Sequence, residues 1–289
     1  MPHEDVCRAP LTPLTFLERS ARVYPDKIAI VHGDQRRTYA EFHRRVHACA
    51  AAMRARGLRK GDRVAFLSPN APAILEAHFA VPLAGGVLVC INTRLSPQEI
   101  EYILNHSGAR FLFVDTEFAH TLRSIRDDLL TMPQVVHIAD APQPEPLVDV
   151  EYESFLASAD GTSPPWPIDD EMETISINYT SGTTGQPKGV MYSHRGAYLN
   201  AIGVCLESGF TPDSVYLWTV PMFHCNGWCY TWGVTALGGT HVCIRKFDPE
   251  RVWALIREHG VTHLCASPVV LISLINHPAR PERLEQPLT

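Results

Sequence analysis

Two stretches of the chain run through the same order of patterns, and that repetition constrains the fold more than any other feature. The first reads "GDRVAFLSPNAPAILEAHFAVPLAGGVLVCINTRLSPQEIEYILNHSGARFLFVD" and the second "PDSVYLWTVPMFHCNGWCYTWGVTALGGTHVCIRKFDPERVWALIREHGVTHLCAS". Each gives strand, helix, Gly-Gly, strand, Ser-Pro or Asp-Pro, helix, Gly, strand. Pro97 corresponds to Pro249 and Gly108 to Gly260 at one spacing, and Gly85-Gly86 corresponds to Gly238-Gly239 one residue further on. Short apolar strands separated by helical patterns imply crossover connections, so the fold class is α/β with a largely parallel sheet. Two copies are too few for a solenoid. The expectation is two similar α/β lobes packed together.

Prolines 142, 144, 146, 164, 165 and 167 fall among many acids and mark a connector rather than a core element. The predicted organisation is therefore a first lobe with an N-terminal arm over 1–139, a connector over 140–170 and a second lobe over 171–289. Thr38 followed by Glu41 forms a capping box that opens a helix ending at Gly57.

A chain of 289 residues, 45% hydrophobic and 19% charged, can bury such a core. Its net charge of −6 argues against a nucleic-acid surface. Arg54, Arg56, Arg59 and Lys60 surround the helix end at Gly57, where cations complement the helix dipole. The start, MPHEDVCRAPLTPLTF, has no charged leader followed by an apolar core, which predicts a cytoplasmic protein. The longest nearly apolar run, Phe79 to Ile91, is broken by Pro82, Gly85 and Gly86 and is too short to span a bilayer. Peripheral membrane contact and self-association are left open. Eight cysteines and fourteen histidines raise the question of zinc, above all at His224-Cys225 with Cys229, His241-x-Cys243 and His263-x-Cys265. Those spacings fit structural zinc sites poorly, and the expectation is a set of reduced thiols packed as small hydrophobes.

"YTSGTTGQPKGV", Tyr179 to Val190, places hydroxyls, glycines and one lysine between two strand patterns. A Walker A loop needs Gly-Lys-Ser/Thr and then a helix, whereas here Pro187 precedes Lys188 and Gly189 follows it. The physics is shared nonetheless. Gly182 and Gly185 let backbone N–H groups turn inward, Thr180, Ser181, Thr183 and Thr184 add hydroxyl donors, and Lys188 adds a compact charge. Such a loop fits a polyphosphate.

This string resembles the phosphate loop of the adenylate-forming, AMP-binding superfamily, which includes acyl-CoA synthetases, luciferases, aryl-CoA ligases and peptide-synthetase adenylation domains. Tyr24-Pro25-Asp26-Lys27 and "PMFHCNGW" resemble further stations of that family, so the likeness runs from about Leu14 to the C-terminus. It implies an acid-thiol ligase using ATP, Mg²⁺ and coenzyme A: a carboxylate attacks the α-phosphate and expels pyrophosphate, and a thiol then displaces AMP. By the same resemblance, Thr180, Ser181, Gly182, Thr183, Thr184, Gly185 and Lys188 hold phosphates, with Thr184 near Mg²⁺. His224 lies toward the nucleotide and Trp228 at the mouth of an acyl tunnel, as in medium- and long-chain fatty acyl-CoA synthetases. Lys188 and His224 are the expected catalytic residues.

No acid occurs between Pro221 and Thr235, although a buried substrate ammonium would need one. Phe223, Trp228, Tyr230 and Trp232 favour an acid with an apolar tail, with Tyr230 and Trp232 equally readable as core. Family members continue for roughly 250 further residues, which carry the adenine and ribose contacts, a metal-binding acid and a small C-terminal domain. None of those stations is found here. The expectation is the N-terminal portion of an acyl-CoA synthetase; the alternatives are a truncated, non-catalytic phosphate-binding or interaction domain, a fatty-acyl-AMP ligase or an aryl-CoA ligase.

Overall fold

The computed structural model describes residues 9–141, 150–159, 168–180, 185–284 and 287–289. The chain opens with α1 (Leu14–Val23), the hairpin β1 (Ile28–His32) and β2 (Gln35–Thr38), and α2 (Tyr39–Ala55). The first repeated block folds as β3 (Arg63–Leu67), α3 (Pro72–Leu83), β4 (Val87–Cys90), α4 (Pro97–Ser107) and β5 (Phe111–Asp115). Then come α5 (Ala119–Ile125), β6 (Gln134–Ile138), α6 (Tyr152–Ala157), β7 (Thr174–Thr180), β8 (Lys188–Ser193) and α7 (His194–Ser208). The second block gives β9 (Val215–Leu217), a short turn α8 (Cys225–Trp228), α9 (Tyr230–Leu237), β10 (Thr240–Cys243), α10 (Pro249–His259) and β11 (His263–Leu264), followed by α11 (Pro268–Ile275).

The repetition in sequence is a repetition in space. β3 pairs in parallel with β4 on one side and β5 on the other, and β9 pairs in the same way with β10 and β11. Matching residues end the matching helices. Pro97 and Pro249 occupy first turns, where a missing N–H costs nothing, and Gly108 and Gly260 both take φ near 58° to close the helix. The Ser96 hydroxyl accepts from the Glu99 N–H, and the Asp248 carboxylate accepts from the Arg251 N–H. The capping box at Thr38 and Glu41 likewise opens α2.

The two sheets are not two consecutive halves of the chain, which corrects the expected cut into 1–139 and 171–289. Among the described residues one sheet has the order β6-β5-β3-β4-β7-β8 and the other β11-β9-β10-β1-β2. β7 joins β4 in parallel through Leu88–Ser176 and Cys90–Asn178, so the phosphate hairpin belongs to the sheet of the first block. β1 crosses to β10 through Ile30–His241 and His32–Cys243, so the N-terminal hairpin belongs to the sheet of the second. The physical reason is that β4 and β10, buried along nearly their whole length, each need a neighbour on both edges.

Helices fill the space between the sheets. One core cluster holds Phe42 of α2, Phe79 of α3, Phe66 and Phe113 of one sheet, Tyr216 of the other, and Trp218 and Trp232. Every residue of α3 is buried, Glu76 and His78 included. Glu76 accepts hydrogen bonds from Arg37 (2.8 Å), Arg45 (2.6 Å) and the Tyr152 hydroxyl (2.7 Å), which offsets the burial of its charge. Arg245, after β10, donates to Asp115 at the end of β5 and to Asp140, tying the sheets together at 2.5–2.9 Å.

The expected connector also needs correcting. Its prolines lie outside the described residues, but α6 sits between them as a core element. Tyr152 and Phe155 are buried, and the Phe155 ring meets Phe113 edge-on with centroids 5.4 Å apart. The basic cluster behaves as predicted for a helix end. Arg56 lies over the Phe155 ring at 4.6 Å, and Lys60 pairs with Asp169 and Glu173. No described helix is long and apolar enough to cross a membrane.

Candidate active site

β7 and β8 form an antiparallel hairpin whose mouth is closed by the pair Thr180 and Lys188. Both side chains are exposed at the carboxyl end of the parallel strands, where open α/β sheets place ligands. Gly185 takes φ 112°, a conformation that a side chain would strain. Gly189 has a second reason to be glycine. A Cβ there would approach Ile177 Cγ2 to 2.8 Å, so the strand crosses β7 closely just after the lysine. Ser181, Gly182, Thr183 and Thr184 lie outside the described residues.

β7 departs from the pattern expected of an alternating strand, since Ile175 is buried on one face and polar residues are buried on the other. Its polar Ser176 and Asn178 are buried, while Ile177 is half-buried. The Asn178 side-chain N–H donates to the Phe223 carbonyl at 2.9 Å, and its Oδ1 finds no hydrogen-bond partner among the described residues. Asn178 also lines a cavity of about 200 Å³ with Asn92, Thr180, Tyr192, Phe223 and His224. Burial, and then a hydrogen bond with Cys225, push the Tyr192 hydroxyl up to about 12.

A second cavity of about 660 Å³ also meets Phe223 and His224 and is lined among others by Arg94, Val220, Trp228, Pro268 and Val270. Asn92, Phe223 and His224 belong to both linings, so His224 stands where the two cavities adjoin. No aspartate or glutamate lines either one.

The segment that places His224 and Trp228 is not the right-handed helix from which a shared face would follow. Cys225, Asn226, Gly227, Trp228 and Cys229 take φ of 49°, 55°, 58°, 56° and 62°, a left-handed turn. For residues other than glycine each such conformation costs about 1–2 kcal/mol, so the surroundings must hold it. Asn70, from the loop after β3, donates through its amide to the Trp218 and Val220 carbonyls and accepts from the Met222 N–H, at 2.7–2.9 Å. Asn178 holds Phe223, and the Thr231 hydroxyl donates to the Asn226 carbonyl. A Cβ at Gly227 would overlap the Trp218 ring. Strain held in place by several neighbours is a mark of functional segments. His224 and Trp228 do reach the same cavity, and Trp228 is 56% exposed at its edge rather than packed in the core.

The other aromatics fall on the core side. Trp232 is fully buried, its indole N–H donating to the His78 carbonyl, and Tyr230 stacks on Tyr216 with centroids 4.9 Å apart. Of the expected residues, then, Thr180 and His224 line the smaller cavity and His224 and Trp228 the larger, while Lys188 and Gly185 lie at the hairpin mouth, outside both linings. Asn70, Asn92, Arg94 and Asn178 escaped the sequence reading. A buried asparagine inside a strand pattern was the available signal for Asn178.

These residues fit an anion. Lys188 makes no ion pair with a described residue, and Thr180 and the Gly185 turn add donors beside it. For Mg²⁺ the two cavities provide no carboxylate, and Thr184 lies outside the described residues.

The sequence profile of the family described as AMP-binding enzyme matches residues 17–288. This chain belongs to that family. It is 41% identical over 296 residues to an acetate–CoA ligase of Humulus lupulus, covering 96% of this chain and 51% of the relative. It is 42% identical over 283 residues to a peroxisomal trans-cinnamate:CoA ligase of Petunia hybrida, covering 92% and 50%. The chain therefore spans about half the length of the curated relatives it matches. Among solved structures, the inhibitor-bound N-terminal domain of FACL13 from Mycobacterium tuberculosis superposes with a TM-score of 0.80 at 28% identity, covering 93% of this chain and 66% of that one. The two-sheet α/β fold is that of the N-terminal domain of adenylate-forming enzymes.

Proposed function

We propose that this chain supplies the phosphate and acyl halves of the active site of an AMP-forming acid-thiol ligase, one that activates an acid with an uncharged apolar tail and passes it to coenzyme A. The observation that carries the reading is the position of His224 between two adjoining cavities, one at the foot of the phosphate hairpin and one edged by Trp228. Phosphate oxygens at the hairpin are met by the Lys188 ammonium, the Thr180 hydroxyl and the turn at Gly185. Charge and hydrogen-bond donors at that place offset the negative charge that builds as pyrophosphate leaves. His224 orients the reacting carboxylate against the α-phosphate by hydrogen bonding. Mg²⁺, when bound with ATP, neutralises phosphate charge; Thr184 is its proposed contact on this chain.

The larger cavity has a size usual for a small-molecule site and presents Val220, Val270, Pro268 and Trp228 to the acid's tail. It has no carboxylate to receive an ammonium group, so amino acids are poor candidates. We assign it a fatty or aryl acid; the relatives named for acetate and trans-cinnamate act on acids that share only the lack of an amino group. The described cysteines are all free thiols, which fits a reducing compartment; the cytosol is the location proposed, and the peroxisome, named for the Petunia hybrida relative, fits the thiols equally.

The test uses residues 1–289 alone and in a chimera that continues into the C-terminal half of the Humulus lupulus relative. The chain alone is expected to bind ATP weakly and to release no pyrophosphate. The chimera is expected to release pyrophosphate with hexanoate or cinnamate and not with alanine. Turnover by the isolated chain at the chimera's rate, or a preference for alanine, would overturn the proposal.

A further inference from the structure

α1 and α2 pack against each other, neither lining either cavity, and where they meet the chain gathers three metal-ligating side chains. His43 and His47 are four residues apart and share one face of α2. Their Nε2 atoms lie 3.0 and 2.8 Å from the same oxygen, Oε1 of Glu18 on α1, and their ring centroids are 4.1 Å apart. One ligand atom from each residue lies within 4.8 Å of the others, the one such group of three among the described residues. The sequence does hold this His-x3-His pair, against the expectation that no such pair occurs, and its third member, Glu18, comes from another helix.

Two imidazoles directed at a single carboxylate oxygen, rather than shared between the two oxygens, bring two Nε2 atoms and one oxygen to a point; without metal each Nε2–H donates to Glu18, and a metal ion would take the place of those two protons, each ring then keeping its proton on Nδ1. We propose that Glu18, His43 and His47 bind one divalent transition-metal ion, zinc being the metal this donor set suits, and that the ion pins α1 to α2. Zinc sits about 2.0–2.2 Å from such ligands in tetrahedral geometry, which separates neighbouring ligand atoms by about 3.4 Å. Admitting the ion therefore needs outward movements of only a few tenths of an ångström on side chains at the surface. The three side chains are 18–30% exposed, so water can take the fourth position. None of the three residues lines either cavity of the candidate active site, and the role proposed is a clamp between helices.

The test is a zinc titration of the chelator-stripped 289-residue chain against a chromophoric competitor, with Glu18→Gln, His43→Gln and His47→Gln alongside. The wild type is expected to take one equivalent and to gain thermal stability from it. Each variant is expected to bind at least about a hundredfold more weakly, since even residues that only support a ligand change affinity by 10–100-fold. Glu18→Gln keeps the size and hydrogen bonding of the side chain, so its loss of binding reads the ligand and not the fold. Cobalt in place of zinc should give visible bands of nitrogen and oxygen ligation with no thiolate charge-transfer band. A wild type that takes up no zinc, variants that bind as tightly as wild type, or a thiolate band would overturn the proposal.

Discussion

At the scale of single residues, the site depends on a few side chains whose removal should separate chemistry from stability. Lys188 is exposed at the hairpin mouth and packs against no core cluster. In the chimera, Lys188→Ala should lower adenylation by about 10²-fold while leaving the thermal midpoint unchanged; a matched loss of stability would contradict its role as a charge. Gly227 is the opposite case, chosen by the turn and not by the ligand. Gly227→Ala must take a left-handed conformation and displace Trp218, which predicts a loss of about 2–5 kcal/mol in urea unfolding. Trp228→Ala should change the ratio of turnover between acetate and hexanoate and leave the ATP dependence within a few-fold, because the indole touches only the edge of the acyl cavity.

At the scale of elements, what was legible in the sequence was whatever local chemistry decides. The caps at Thr38 and Ser96, the paired prolines and the closing glycines mark helix ends because each satisfies or removes a backbone group by itself. The turn at Cys225–Trp228 was not legible, because its left-handed geometry is imposed by Asn70 and Asn178, which are distant in sequence. The strand β7 reads as alternating, yet both of its faces are packed: Ile175 is in the core, and the polar Ser176 and Asn178 are buried as well, Asn178 against the Phe223 segment. The brace is testable. Asn70→Ala leaves two carbonyls and one N–H buried and unpaired, so it should destabilise by about 2–4 kcal/mol and reduce acid-dependent activity in the chimera together with stability. Full activity at normal stability would mean the turn holds itself.

At the scale of the whole molecule, the two sheets exchange strands along the chain, so neither half of the sequence contains a complete sheet. The fragment 1–139 is expected to remain unfolded alone, and the whole chain to unfold in one transition by circular dichroism. Acid should open that single unit early. Burial lowers the pKa of His78 and His194 to about 4 and of His241 to about 3, against about 6.5 in the unfolded chain. Between those values only the unfolded chain takes up the protons. Stability therefore falls as pH drops below about 6.5, by about 1.4 kcal/mol per pH unit for each proton, and His194→Gln should make the decline shallower.

The site as a whole rests on the hairpin and the two cavities acting together on one substrate, and exchange of labelled pyrophosphate into ATP by the chimera measures that joint action most directly. The account predicts exchange that requires an apolar acid, is lost with Lys188→Ala, and shifts its acid preference with Trp228→Ala. Exchange that proceeds equally without added acid, or survives undiminished in Lys188→Ala, would contradict it.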